Sequence, residues 1–156
     1  MLDAHHPDLH TSGRGAPGPP PLGPMDERLA EAVCDAVFCY QLQRLRAEAP
    51  QPPHYYVARQ ERDPNEAVLG RLRALGCAVQ PLSQCRVTAR EGVVDRTTGA
   101  RGVIVQVARL TWLHAAAVDV VGGYYITHRH AAGMRYCVEH DGRRWVVTIT
   151  ALLWRV

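Results

Sequence analysis

Four runs of alternating apolar and polar residues occupy the chain from Val103 to Val156: VIVQVARLTWL, AAVDVVGGYYI, MRYCVEH and RRWVVTITALLWRV. A period of two sends successive side chains to opposite faces of a strand, so each run predicts a strand with one buried face. Short turns join them, which makes an antiparallel meander. In the last run Trp145, Val147, Ile149, Ala151 and Leu153 alternate with Val146, Thr148, Thr150 and Leu152. One face is wholly apolar and the other mixed, the pattern of a strand covered on one side. Met134, Tyr136 and Val138 repeat the alternation one strand earlier, and His140-Asp141-Gly142 between the two runs is a hairpin signal. Gly122-Gly123 interrupts an otherwise strong strand, where glycine marks a bulge or a sharp coil. The sheet is therefore expected to curve, with Tyr136, Trp145, Val147 and Ile149 facing a helix upstream.

That helix is predicted over residues 26 to 48. Leu29, Val33, Ala36, Val37, Tyr40 and Leu45 form an apolar stripe that Phe38 and Leu42 widen. Asp26 suits its N-cap, and Pro50, Pro52 and Pro53 stop it. HYYVARQ (54–60) reads as a short strand. DPNEAVLGRLRALG reads as a second helix, with Asp63 as cap, Pro64 in the first turn, Gly76 at the stop and Val68, Leu72 and Leu75 buried. A loop at Pro81 and a strand around Gln84–Ala89 follow. VVDRTTGARGVIV then reads as a tight return in which Asp95, Thr98 and Gly99 make a turn with positive φ at the glycine. Residues 1–24 are rich in Pro, Gly and His and offer little to pack, so they are expected to be disordered, with residues 25–156 as one α+β domain. The tail reads either as a real extension or as the product of an upstream start codon with Met25, directly before the capping Asp26, as the initiator; the second reading is slightly favoured.

Composition narrows the function classes. The net charge is +3 and the 18 cations, all arginine, are scattered rather than gathered on one face. Neither nucleic acid nor a membrane is an expected partner. Arginine without lysine, beside abundant Ala, Gly and Pro, fits a GC-rich bacterial coding sequence. The five cysteines (Cys34, Cys39, Cys77, Cys85, Cys137) are odd in number and form no CxxC pair. With no basic, then apolar, amino-terminal signal and no run of about 20 apolar residues, the expectation is a reduced cytoplasmic protein with free, mostly buried thiols. P-loop, GxGxxG, GxSxG, HExxH and EF-hand patterns do not occur, which speaks against nucleotide-dependent phosphoryl transfer and zinc-protease chemistry.

A long amino-terminal helix, a short strand, a second helix and a bent meander resemble the cone-shaped NTF2-like (SnoaL-like) superfamily. The most specific piece is Asp141-Gly142 followed by Arg144-Trp145-Val146-Val147, similar to the G-x-W that opens a strand in many such domains. The resemblance covers residues 26–156 and implies a curved antiparallel sheet of five to six strands wrapped around two helices. It also implies a family whose members include isomerases, dehydratases, epoxide hydrolases, small-ligand binders and association domains.

In such a cone, chemistry needs polar groups aimed into an apolar cavity, where loss of solvent tunes their pKa values. Asp119, mid-strand between Val118 and Val120, is the acidic candidate, although alternation sends it to the face opposite those valines. Tyr124 and Tyr125 point to opposite faces, so one of them faces inward. His128 and His130 share a face if extended but fall in an expected turn, with no carboxylate at metal-binding spacing. Candidate ligand contacts are Tyr136, Trp145, Tyr55 and Arg109, the arginine as an anchor for a carboxylate. No cofactor and no metal are expected, and nothing around His5, His6 and His10 fixes a coordination geometry.

Three functions follow. The leading one is a non-catalytic module that binds a small apolar ligand or acts as an association domain, with a homodimer formed through an outer sheet face carrying Trp112, Val146 and Trp154. The second is a cofactor-free isomerase, dehydratase or hydrolase using Asp119, Tyr124 and a histidine. The third is an inhibitor or immunity-type factor that binds a protein partner through loop 90–102 and the meander surface.

Overall fold

A computed structural model describes residues 26–48 and 54–156. The expected disorder of residues 1–24 and the proline stop after the first helix fall outside these residues. Helix α1 (Glu27–Glu48) begins behind Asp26, whose carboxylate accepts from the Arg28 amide. Its buried stripe is Ala30, Val33, Cys34, Val37, Phe38, Gln41, Leu42 and Leu45, steps of three and four residues throughout. Leu29, expected in the stripe, is 42% exposed. Its place is taken by Ala30, since the stripe that fits the sheet is rotated one residue from the one drawn through the largest side chains.

Strand β1 (His54–Arg59) leads to α2 (Glu66–Ala74), which buries Val68, Leu69 and Leu72. Leu75, expected to be buried, is exposed at the helix end. Asn65, not Asp63, caps α2 by accepting from the Val68 amide. Asp63 instead accepts from the Ser83 amide and ties down a turn 20 residues away. The segment at Pro81, expected to be loop, is a three-residue strand, β2 (Val79–Pro81), followed by a 3-10 turn over Leu82–Gln84. Strands β3 (Cys85–Thr88) and β4 (Gly92–Asp95) form a separate two-stranded hairpin. The meander is β5 (Gly102–His114), β6 (Ala117–Thr127), β7 (His130–His140) and β8 (Trp145–Arg155).

The fold is α+β: two helices and a curved, mostly antiparallel six-stranded sheet in the order β2-β1-β5-β6-β7-β8, consistent with an NTF2-like cone. It departs from the antiparallel expectation at one edge, where β1 runs parallel to both β2 and β5. That follows from α2 and the hairpin, which carry the chain back across the sheet before the next strand begins. The core lies between α1, α2 and the concave face, where Val33, Val37, Phe38 and Leu42 meet Val57, Val105, Val118, Val120 and Val138. A fully buried side chain of this size is worth about 1.5–3 kcal/mol, so the stripe on α1 is a main source of stability.

Bulges decide which residues face the helices. One in β5, between Val107 and Arg109, lies opposite Gly122 and Val121, where the paired glycines were expected to bend the sheet. A second, in β8, has Val147 opposite Val138 but Ile149 opposite Cys137, so Thr148 is the extra residue. Trp145 and Val147 pack on the core as expected, but beyond Thr148 the phase inverts, until a further shift at Leu153 restores it. Ile149 is therefore 65% exposed on the outer face instead of facing α1. Trp112 is corrected in the opposite sense. It lies on the concave face, its ring 5.5 Å from Trp145 in an edge-to-face pair, and adds nothing to the outer surface.

The hairpin covers part of the outer face, where Tyr56, Cys85 and Val93 form a second small core with Ile104 and Tyr125 around it. Tyr56 donates to Asp95 at 2.7 Å, and the other Asp95 oxygen accepts from the Thr97 and Thr98 amides, both at 2.8 Å. The turn ends at Gly99 with φ +69°, a conformation glycine adopts without steric cost.

Candidate functional site

Midway along α1 the buried stripe carries one polar side chain, Gln41, only 5% exposed. Its Nε2 lies 3.2 Å from the Gln106 carbonyl, 3.3 Å from the Gly123 carbonyl and 3.1 Å from the Tyr136 hydroxyl. The amide has two hydrogens for these three acceptors. Gln106 and Gly123 are paired across β5 and β6 beside the bulge, and the amide bridges both strands to the helix. Gly122 makes the approach possible. A Cβ there would sit 2.4 Å from the Gln106 carbonyl oxygen and 3.3 Å from Gln41 Nε2.

A cleft of about 50 Å³ opens beside Gln41, lined by Arg44, Leu45, Glu48, Tyr124, Met134, Tyr136 and Arg155. That volume admits a water-sized group or two and is well below the roughly 300–1,000 Å³ of small-molecule pockets. Burial pushes the Tyr136 phenol up to about 12, against the opposing hydrogen bond from Gln41, so it stays neutral and protonated at ordinary pH. Gln41 Oε1 is buried and has no hydrogen-bond partner among the described residues. Arg44 donates to the Tyr40 hydroxyl at 3.4 Å and to Glu48 at 2.9 Å at the rim. The arrangement can hold a small hydrogen-bonding group. A buried amide and a phenol with a raised pKa make a poor acid–base pair.

The candidates drawn from the sequence do not converge. Tyr124 faces the concave side as the inward tyrosine and meets His130 edge-on at 5.7 Å. Asp119 lies on the outer face, as alternation indicated, held by Arg135 at 2.7 Å. His128 is exposed in the turn between β6 and β7. Among the ligand candidates, Tyr136 lines the cleft, while Trp145 packs between Trp112 and His140 at the far end of the sheet. Tyr55 is buried beneath the helices with its hydroxyl unpartnered, and Arg109 is exposed on the outer face. Among the described residues no three His, Cys, Asp or Glu side chains are grouped to hold a metal. No helix there is long and apolar enough to cross a membrane.

Burial pushes Cys34 and Cys85 each up to about 11. All five cysteines are unpaired.

Gln41 itself escaped the sequence reading. Its signal was present: it sits three residues after Phe38, four after Val37 and four before Leu45, one amide on an otherwise apolar stripe. No family model, curated protein or solved structure matches the chain.

Proposed function

We propose that this chain is a non-catalytic association module of the NTF2-like kind, pairing with a second copy through β8 and the outer face beside it. The observation that carries this reading is the contrast between the two sheet edges. Strand β2 is three residues long and ends in Pro81, a protected edge. Strand β8 is eleven residues long, pairs only with β7, and has Arg155 as its sole charged side chain. Its exposed residues include the large apolar side chains Ile149, Leu152, Leu153 and Trp154, with Val156 after it, beside the polar Thr148 and Arg155. A long, sparsely charged, largely apolar edge is a template for another strand, and left open it invites aggregation.

The small cleft at Gln41 favours association over the ligand-binding arm of the same reading. The separation of Asp119, Tyr124 and His128 weighs against catalysis. A two-fold axis beside β8 would pair two copies edge to edge and continue the sheet, with apolar side chains covered on the outer face.

Native mass spectrometry and light scattering across micromolar concentrations test the proposal. A dimer is expected, and Trp154→Lys combined with Ile149→Lys should yield a monomer with unchanged far-ultraviolet circular dichroism. A wild-type chain that stays monomeric at 100-fold the lowest concentration would sink the reading.

A further inference from the structure

The N-terminal half of α1 and the β1–α2 connection enclose a cleft of about 290 Å³. Cys34, Phe38, Pro64 and Val68 contribute apolar lining. Polar groups stand around it, and their partners determine its character. Glu31 accepts from Asn65 at 2.5 Å and pairs with Arg71 at 3.5 Å, and Asp63 accepts from the Ser83 amide. Both of these acids are therefore answered within the fold. The two cations of the lining, Arg59 and Arg62, differ. The Arg62 guanidinium has no acceptor among the described residues.

Arg59 projects from the end of β1 with a side chain four-fifths buried, at 20% exposure, and its Nε is sealed from solvent without a partner. Its two Nη atoms are engaged by the Glu27 carboxylate. Glu27 stands in the first turn of α1 with its own side chain 65% exposed. A buried, oriented guanidinium is thus met by a carboxylate that arrives from solvent on a flexible arm. Fork-shaped pairing of this kind is selective for planar carboxylates.

We infer that this cleft is a binding site for a small carboxylate with a short apolar body, and that Glu27 occupies the place of the ligand's carboxylate. On binding, the ligand's carboxylate takes the Arg59 fork, with Arg62 close by, and its apolar body rests on Phe38, Val68 and Pro64. Glu27 then swings into solvent. The N-terminus of α2, capped by Asn65 at the cleft wall, adds a favourable field for the anion. The site is independent of the β8 edge, so its fate does not decide the association proposal.

Sodium butanoate is the probe, with sodium chloride at matched ionic strength and butylammonium chloride as controls. Titration of the full chain by thermal shift and by ¹⁵N–¹H correlation spectra should give saturable changes confined to residues 27–38 and 59–68. Glu27→Ala should tighten butanoate binding by about tenfold, because the competing carboxylate is gone. The exposed Arg62→Ala should weaken it severalfold without changing the fold. If Glu27→Ala fails to fold, the wild-type titration and Arg62→Ala still decide. Absence of saturable butanoate binding overturns the proposal, as does an equal response to chloride or butylammonium.

Discussion

Gln41 and Gly122 act as one device. The glycine removes the side chain that would block the approach, and the amide then caps two backbone carbonyls at the bend of the sheet. Replacing Gln41 with Leu keeps the volume but leaves the Gln106 and Gly123 carbonyls without their side-chain donor in an apolar setting. A loss of about 2–4 kcal/mol is expected in urea unfolding, since each orphaned buried acceptor costs about 1–3 kcal/mol. A change below about 0.5 kcal/mol would mean that the contacts are incidental. Gly122→Ala should destabilise by about 1–3 kcal/mol through overpacking against the Gln106 carbonyl, with the same measurement as its check. At this scale the sequence was only partly legible. The glycine pair announced a bend, but no pattern along the chain says that a glutamine 81 residues earlier fills the space it leaves.

At the scale of elements, the β3–β4 hairpin depends on an ionised carboxylate. Hydrogen bonds from the Thr98 amide, the Tyr56 hydroxyl and the Thr97 amide hold Asp95 down to about 2, from an ordinary 3.8. A carboxyl whose folded pKa is depressed stabilises the fold above its unfolded pKa, and that contribution is lost as pH falls toward the folded value. The hairpin should therefore be fully held above about pH 4 and released between about pH 4 and 2. Amide exchange of Arg86–Val94 measured down that range should accelerate before exchange of β6 and β7. In Asp95→Ala the same amides should already be fast at pH 7. The turn Asp95-Arg96-Thr97-Thr98-Gly99 was readable because its chemistry is local: an Asx side chain reaching the next amides and a glycine with positive φ. The partner hydroxyl of Tyr56 was not, because it arrives from another strand. Asn65 taking the cap from Asp63 has a similar origin, since Asp63 is drawn away by the Ser83 amide.

For the whole molecule, the uneven edges of the sheet are the main consequence of the fold. If β8 pairs with its copy, association stabilises the native state by mass action and the apparent Tm must rise with protein concentration. Wild-type chain measured at 5 and 500 µM should differ by several degrees, and the Ile149→Lys, Trp154→Lys chain should not. Equal shifts in both chains would place the interface elsewhere. The two clefts differ in size: the one at Gln41 holds about 50 Å³ and the one at Arg59 about 290 Å³.

Periodicity determined the helix over 26–48, the four strands of the meander, their hairpin turns and the place of the bend. These follow from residues close together in sequence, whose side-chain directions are set by backbone geometry alone. Tertiary structure decided the parallel placement of β1, the inversion of phase at Thr148 that exposes Ile149, the inward turn of Trp112 and the burial of Gln41. A single extra residue in a strand leaves little trace in its composition, yet it sends the side chains after it to the opposite face until a second extra residue, here Leu153, restores the phase; Ile149 and Ala151, which read as core, became surface in between.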